Sequence, residues 1–205
     1  MSFSTLAAQH VHTYCRAKDG NRPHLLATAF ADDAWLEWAV DGALLFPHSV
    51  SQGREAITRS LVGHFGRTCE NVYTFCLQRP GEQGSASQFS CDWLAGMSAK
   101  DSGQVRVGCG RYDWQFQHEP PHRVQGLKIS VAVMKVLPPP ALATVTEWLA
   151  GLPYPWCQAA AMAAAAPDLP ALQPVLEHLC RRSAPGTCRP LGQVVSAYAV
   201  SRSAP

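Results

Sequence analysis

The sequence predicts an α+β cone: a strongly bent antiparallel sheet carrying three N-terminal helices on its concave side, with a helical extension behind it. Three observations predict it. Phe30-Ala31-Asp32-Asp33-Ala34-Trp35-Leu36-Glu37 joins an apolar helix end to a strand-like run through an acidic turn, and Gly53-Arg54-Glu55-Ala56-Ile57 then opens a further helix. Four long strand-like segments follow, at residues 72–78, 87–97, 105–117 and 124–137. Pro138-Pro139-Pro140 closes that run, and what lies beyond is apolar, alanine-rich and helical in pattern.

Phe3, Leu6, Ala7, His10, Val11 and Tyr14 recur at helical spacing, so the chain opens with an amphipathic helix that ends near Asp19-Gly20-Asn21. Pro23 suits the first turn of a second, short helix, where its missing N–H is not needed. Residues 35–40 and 43–46 flank Asp41-Gly42, the composition of a two-residue hairpin turn that requires positive φ. Ile57, Leu61, Val62 and Phe65 form the inner face of the helix that Gly53 opens.

In the segment 87–97, Phe89, Cys91, Trp93 and Met97 alternate with Ser90 and Asp92, giving one apolar and one wet face. Along 105–117 the apolar parity switches from Val105, Val107 and Cys109 to Tyr112, Trp114 and Phe116, with Gly108 and Gly110 between. That reads as a β-bulge bending the strand. Along 124–137, Leu127, Ile129, Val131 and Val133 fall on one face and Ala132, Met134 and Val136 on the other. A strand apolar on both faces needs cover beyond its own helices, and a homodimer through the sheet is expected. The domain reading is therefore 1–138 for the cone and 139–205 for a helical extension and tail, packed on the cone or on a partner subunit. Trp148, Leu149, Trp156, Leu172, Val175, Leu176 and Leu179 are too much apolar surface to leave in water.

A net charge of +2, from 17 basic and 15 acidic residues, leaves no electrostatic footprint for nucleic acid or an anionic membrane. Residues 1–10 lack the basic and apolar regions of a secretory signal, and no run approaches ~18 apolar residues. The eight cysteines contain no Cys-x-x-Cys pair and read as reduced, buried thiols, which points to the cytoplasm.

His118-Glu119-Pro120-Pro121-His122 has the letters of a zinc-binding HExxH motif, but two consecutive prolines forbid the helix that would put both histidines on one face. The segment reads as a hairpin loop, and no metal site is expected. Gly108-Cys109-Gly110 lacks the third glycine and the helix start of a dinucleotide fingerprint. His10 and His12 cannot share a helix face.

In its order of elements, and in the acidic turn, the Gly-Arg-Glu-Ala-Ile helix start and Gly110-Arg111-Tyr112, the chain resembles the NTF2-like (cystatin-like) fold, in particular its SnoaL-like and ketosteroid-isomerase-like branches. The resemblance covers residues 1 to about 138. It implies a cone able to hold a small apolar, cyclic ligand, with no cofactor, and cofactor-free isomerase, lyase or cyclase chemistry if there is any. Tyr14 matches the tyrosine that donates to a substrate oxyanion in the isomerase branch. The aspartate base expected after Glu37 is replaced by Trp38, which cannot accept a proton. No acidic residue occurs between Val124 and Leu137, where the cyclase branch keeps its base. Asp113 is the remaining candidate acid–base residue, beside Tyr112. Tyr14, Trp38, Tyr112, Trp35 and His10 are the expected ligand-binding residues, with Tyr14 and Asp113 as the catalytic pair. The competing reading is a non-catalytic dimeric interaction module of the transport-factor or dioxygenase small-subunit type. A hollow cone favours the ligand, and a filled cone favours the module.

Overall fold

Ser2 caps the first helix, α1 (Phe3–Asp19), its hydroxyl accepting from the Thr5 backbone N–H at 3.4 Å. A computed structural model describes residues 2–40, 50–81 and 87–182. Gly20 ends α1 with its N–H on the Arg16 carbonyl, and Arg16 and Lys18 complement the negative end of the helix dipole. A 3₁₀ turn at Pro23–Leu25 leads into α2 (Leu26–Ala29), and β1 (Phe30–Val40) follows directly.

The pair Asp32-Asp33, expected in a turn, lies instead inside β1, where the register against β6 (Val124–Leu137) shifts between Phe30 and Trp35. Arg54 pairs with Asp32, and the Gly53 N–H reaches the Ala34 carbonyl at 2.8 Å. The irregular stretch is thereby tied to the helix start that follows. β2 (Val50–Gln52) pairs antiparallel with β1; the expected Asp41-Gly42 turn and residues 43–46 lie outside the described residues. Gly53, at φ 83°, caps a helix made of α3 (Arg54–Ile57), a π-wound middle at Thr58–His64, and α4 (Phe65–Thr68). β3 (Cys69–Cys76), β4 (Gln88–Ala99), β5 (Val105–Phe116) and β6 complete a six-stranded sheet in the order β2-β1-β6-β5-β4-β3.

The sheet is mixed rather than wholly antiparallel, because β1 and β6 run parallel. No hairpin joins these two strands; most of the domain lies between them in sequence, so their relative direction is free. The bulge also sits differently from the sequence reading. β4 and β5 pair without a break from Gln88↔Gln115 to Ser98↔Val105. Against β6, Cys109 pairs with Val133 and Gly110 with Val131, so the extra residue is Ala132 on β6. Val131 therefore faces the concave core while Val133 faces the other side. The parity switch in β5 has another cause. Its odd residues Val105, Val107 and Cys109 are covered on the outer face, and its even residues Tyr112, Trp114 and Phe116 on the concave face. Gly110 allows the close approach, since a Cβ there would collide with the Ser130 carbonyl.

The outer cover comes from α5 (Leu142–Ala150), α6 (Ala159–Ala164) and α7 (Gln173–Arg182). Val145, Trp148, Leu149, Met162, Leu172, Val175 and Leu179 pack with Phe75, Leu94, Val105, Val107 and Leu137 into a second core. Each such aliphatic side chain contributes roughly 2 kcal/mol when fully buried. The Trp148 indole N–H donates to the Met162 carbonyl at 3.1 Å, fastening α5 to α6. Along the free edge of β3, the Cys76 N–H donates to the Pro155 carbonyl at 2.8 Å and the Cys157 N–H to the Cys76 carbonyl at 3.2 Å. Cys180 on α7 is disulfide-bonded, a departure from the all-thiol expectation, whereas Cys15, Cys69, Cys76, Cys91, Cys109 and Cys157 are free and buried. No helix among the described residues is long and apolar enough to cross a membrane.

One buried polar network joins the helices, the sheet and the extension. The Asp19 carboxylate, 7% exposed, accepts from Lys18 Nζ (3.1 Å), the Thr74 hydroxyl (2.7 Å), the Thr74 N–H (2.7 Å) and the Tyr154 hydroxyl (3.0 Å). Lys18 also donates to the Thr74 hydroxyl at 2.7 Å and lies 4.4 Å from the Phe65 ring centroid. Removing one partner of such a pair strands the other charge in the core. Asp19→Asn is expected to destabilise the fold by about 3 kcal/mol, and adding Lys18→Met to recover most of that loss. Urea titration of the two variants measures both; equal stability of wild type and Asp19→Asn would remove the network from its central role.

Candidate functional site

Tyr14 projects from α1 onto the concave face of β5, carried there by the same helical stripe that buries Ala7, His10 and Val11. Its hydroxyl lies 3.1 Å from that of Tyr112, and neither side chain reaches solvent appreciably. The Trp114 ring meets Tyr14 edge-on at 5.1 Å and Tyr112 at 5.5 Å, while Trp93 from β4 stacks on Tyr112 at 5.5 Å. Phe30 closes the group from the start of β1. Strand alternation accounts for the gathering: Trp93 on β4, and Tyr112 and Trp114 on β5, point the same way, two residues apart along each strand.

The hydrogen-bond inventory of this cluster is unbalanced. Two hydroxyls facing each other use one O–H proton between them, so the second is not used in that contact. The indole Nε1–H groups of Trp93 and Trp114 are buried with no acceptor among the described residues. A buried donor left without an acceptor costs about 1–3 kcal/mol, which makes the cluster rich in donors and short of acceptors.

Burial pushes both phenols well above their ordinary pKa. For Tyr14 the hydrogen bond from Tyr112 opposes burial, and the nearby Cys15 and Asp19 add to it more weakly; for Tyr112 the neighbouring Tyr14 adds. Hydrogen bonds to the thiols of Cys15 and Cys91, with burial behind them, push Cys76 well up, so this thiol stays protonated beside the rings. The arrangement can donate hydrogen bonds to a neutral or anionic oxygen; it offers no ready thiolate.

The expected site residues do not all meet. Tyr14 and Tyr112 do, and Trp38, partly buried, packs against the same core. Trp35 lies on the outer face, its ring against Gly126. Asp113 is also outside: 40% exposed, it accepts from Ser90 (2.6 Å) and pairs with Arg111 (3.0 Å). One residue along a strand reverses direction, so Asp113 cannot share the Tyr112 face. The expected Tyr14–Asp113 pairing is therefore not assembled. His10, one turn before Tyr14, is held to the Pro121 carbonyl through Nε2 at 2.8 Å, and burial lowers its pKa. The loop carrying His118, Glu119 and His122 has a cis Pro120–Pro121 bond and is not helical. Sequence reasoning gave Trp93 and Trp114 no part in the site; their alternation with Ser90, Asp92 and Asp113 put them on one apolar face, and the structure turns that face toward Tyr14.

No family model matches the sequence, and a search of curated proteins gave no match. Solved structures do match. An NTF2-like superfamily protein from Salmonella enterica serovar Typhimurium superposes with a TM-score of 0.52 at 15% identity, covering 64% of this chain and 92% of that one. The fold is NTF2-like. A type 2 hexachlorocyclohexane dehydrochlorinase (TM-score 0.48, 14% identity, 62% of this chain and 84% of that one) aligns less closely. So does a Catenulispora acidiphila protein of ketosteroid isomerase-like fold (TM-score 0.45, 15% identity, 58% and 82%). Within the NTF2-like cone, the Tyr14–Tyr112 pair stands on the concave side of the sheet, under α1.

The raised phenol pKa values have a stability consequence with a definite sign. Above about pH 10 the unfolded chain loses phenol protons that the folded chain keeps. The stabilisation is complete below about pH 10 and is lost as pH rises toward the folded pKa values, at about 1.4 kcal/mol per pH unit per tyrosine. Tyr14→Phe is expected to shallow that slope by about one proton, measured as unfolding free energy between pH 10 and 11. An unchanged slope would place the Tyr14 hydroxyl in contact with water.

Proposed function

We propose that this NTF2-like protein binds a small apolar, cyclic molecule bearing an acceptor oxygen, with that oxygen directed at the aromatic cluster of Tyr14, Tyr112, Trp93 and Trp114. One observation carries the reading: a buried apolar cluster holds two indole N–H donors with no acceptor among the described residues, beside a pair of phenols that share one O–H contact. An apolar ring replaces the packing, and its carbonyl or ether oxygen supplies the missing acceptor. The rings fill this space in the ligand-free chain, so entry requires them to part, and affinity is reduced by the cost of opening. Catalysis is not part of the proposal, because Asp113 stands on the far side of the sheet.

The test compares 1-tetralone with tetralin, which share a ring system and differ in the carbonyl. 1-Tetralone is expected to raise the melting temperature and quench tryptophan fluorescence at concentrations where tetralin does little. Tyr14→Phe is expected to weaken 1-tetralone about tenfold, the value of one hydrogen bond of about 1.4 kcal/mol. Equal responses to the two compounds would sink the donor cluster as a binding site.

A second reading, a non-catalytic homodimeric module, draws on the filled interior itself. α5–α7 cover one half of the outer sheet face, which leaves the half bearing Trp35, the Glu37–Lys128 pair and the Arg111–Asp113 pair for a second copy. Sedimentation at micromolar concentration is expected to show a species of twice the 22.2 kDa chain. A 22.2 kDa species there would exclude this dimer.

A further inference from the structure

A cleft of about 550 Å³ opens where the end of β3 meets the segment that pairs with its edge. Its walls include Phe89 and Trp156, both half-buried, and its rim carries Arg79, Gln78 and Gln158, all exposed. The floor is built on paired backbone, the Cys76 N–H on the Pro155 carbonyl and the Cys157 N–H on the Cys76 carbonyl, so the walls are held at fixed separation. The Arg79 guanidinium lies 5.9 Å from the centroid of the Trp156 ring.

The electrostatics are one-sided. Among the described residues, no carboxylate forms an ion pair with Arg79 or with Arg16 on α1. Both arginines lie near enough to His12 to add to the burial that lowers its pKa. The oxygens of Asp19, at the end of α1, are taken by Lys18, Thr74 and Tyr154. Arg79, with no carboxylate partner among the described residues, therefore stands beside two aromatic walls.

We propose that this cleft binds a planar aromatic carboxylate, its ring against Trp156 and Phe89 and its carboxylate on Arg79. Each part of the ligand answers a feature of the cleft. A flat ring buries against an indole face at little cost in conformational entropy. The guanidinium fork matches a carboxylate with two parallel N–H···O bonds, and its contact with Trp156 fixes the plane in which the fork lies. The side-chain amides of Gln78 and Gln158 give the rim donors and acceptors for ring substituents. The site is separate from the Tyr14 cluster, which asks for a neutral acceptor in a closed apolar setting.

The test is calorimetric titration of the full-length protein with 2-naphthoate and with 2-naphthalenemethanol, which share a ring system and differ in charge. 2-Naphthoate is expected to bind at least tenfold more tightly than the alcohol, and to weaken as salt is raised. Arg79→Gln, at an exposed position and so without consequence for folding, is expected to abolish that preference by weakening 2-naphthoate at least tenfold. Trp156→Ala is expected to weaken both compounds. Tyr14→Phe should leave 2-naphthoate binding unchanged, which separates this cleft from the aromatic cluster. No preference for the anion, a preference that survives Arg79→Gln, or a loss on Tyr14→Phe would each overturn the proposal.

Discussion

Everything on both sides of the sheet is referred to the carboxylate of Asp19. α1 places it at its last residue, β3 supplies Thr74 as a double partner, and the segment between α5 and α6 supplies Tyr154. A buried carboxylate tolerates removal from water only when its lone pairs are satisfied and its charge is matched, and here both conditions hold. The constraint works in both directions. The network fixes the end of α1 against β3, and that placement sets where Tyr14, more than one turn earlier, meets the sheet. Because Tyr154 is the third partner, the C-terminal helices are registered to the same point as the N-terminal one.

The sheet then divides the labour between its two faces. On the concave side, α1, α2 and the helix from α3 to α4 bury aromatic rings from β4 and β5; on the outer side, α5–α7 bury Phe75 of β3 and aliphatic side chains of β4 to β6. The extra residue at Ala132 lets β6 serve both cores, with Val131 in one and Val133 in the other. A strand of 14 residues could not otherwise change allegiance midway without leaving an apolar face in water.

Much of this architecture was legible in the residues, and the part that was not has physical reasons. Helical periodicity located α1 and its buried stripe, including Tyr14, because a one-sided apolar pattern over 17 residues has few other meanings. Alternation located β4 to β6. Asp32-Asp33 misled as a turn, since acidic residues favour turns locally, whereas here Asp32 pairs with Arg54 and the Asp33 carbonyl accepts from Gln52 within the strand. The parity switch in β5 was read as a kink, when it records a change in which face is covered; composition cannot distinguish the two until the position of α5–α7 is known. Among the candidate site residues, Tyr14 and Tyr112 met as the pattern suggested. Trp35 and Asp113 parted from them, because adjacency in a strand means opposite faces, and the register that decided it depends on pairing across strands.

The backbone contact between Cys76 and residues 155–157 has a consequence for the behaviour of the chain in concentrated solution. β3 is an outermost strand of the sheet, and an outermost strand offers unpaired N–H and C=O groups to any extended segment that comes near. By laying Pro155–Cys157 along the end of β3, the chain occupies part of that edge itself. Edge-to-edge growth of the sheet into fibrous aggregates is discouraged at this end by occupation. The residues after Pro140 thus act as a guard against self-association through strand pairing, apart from any part they have in covering the core.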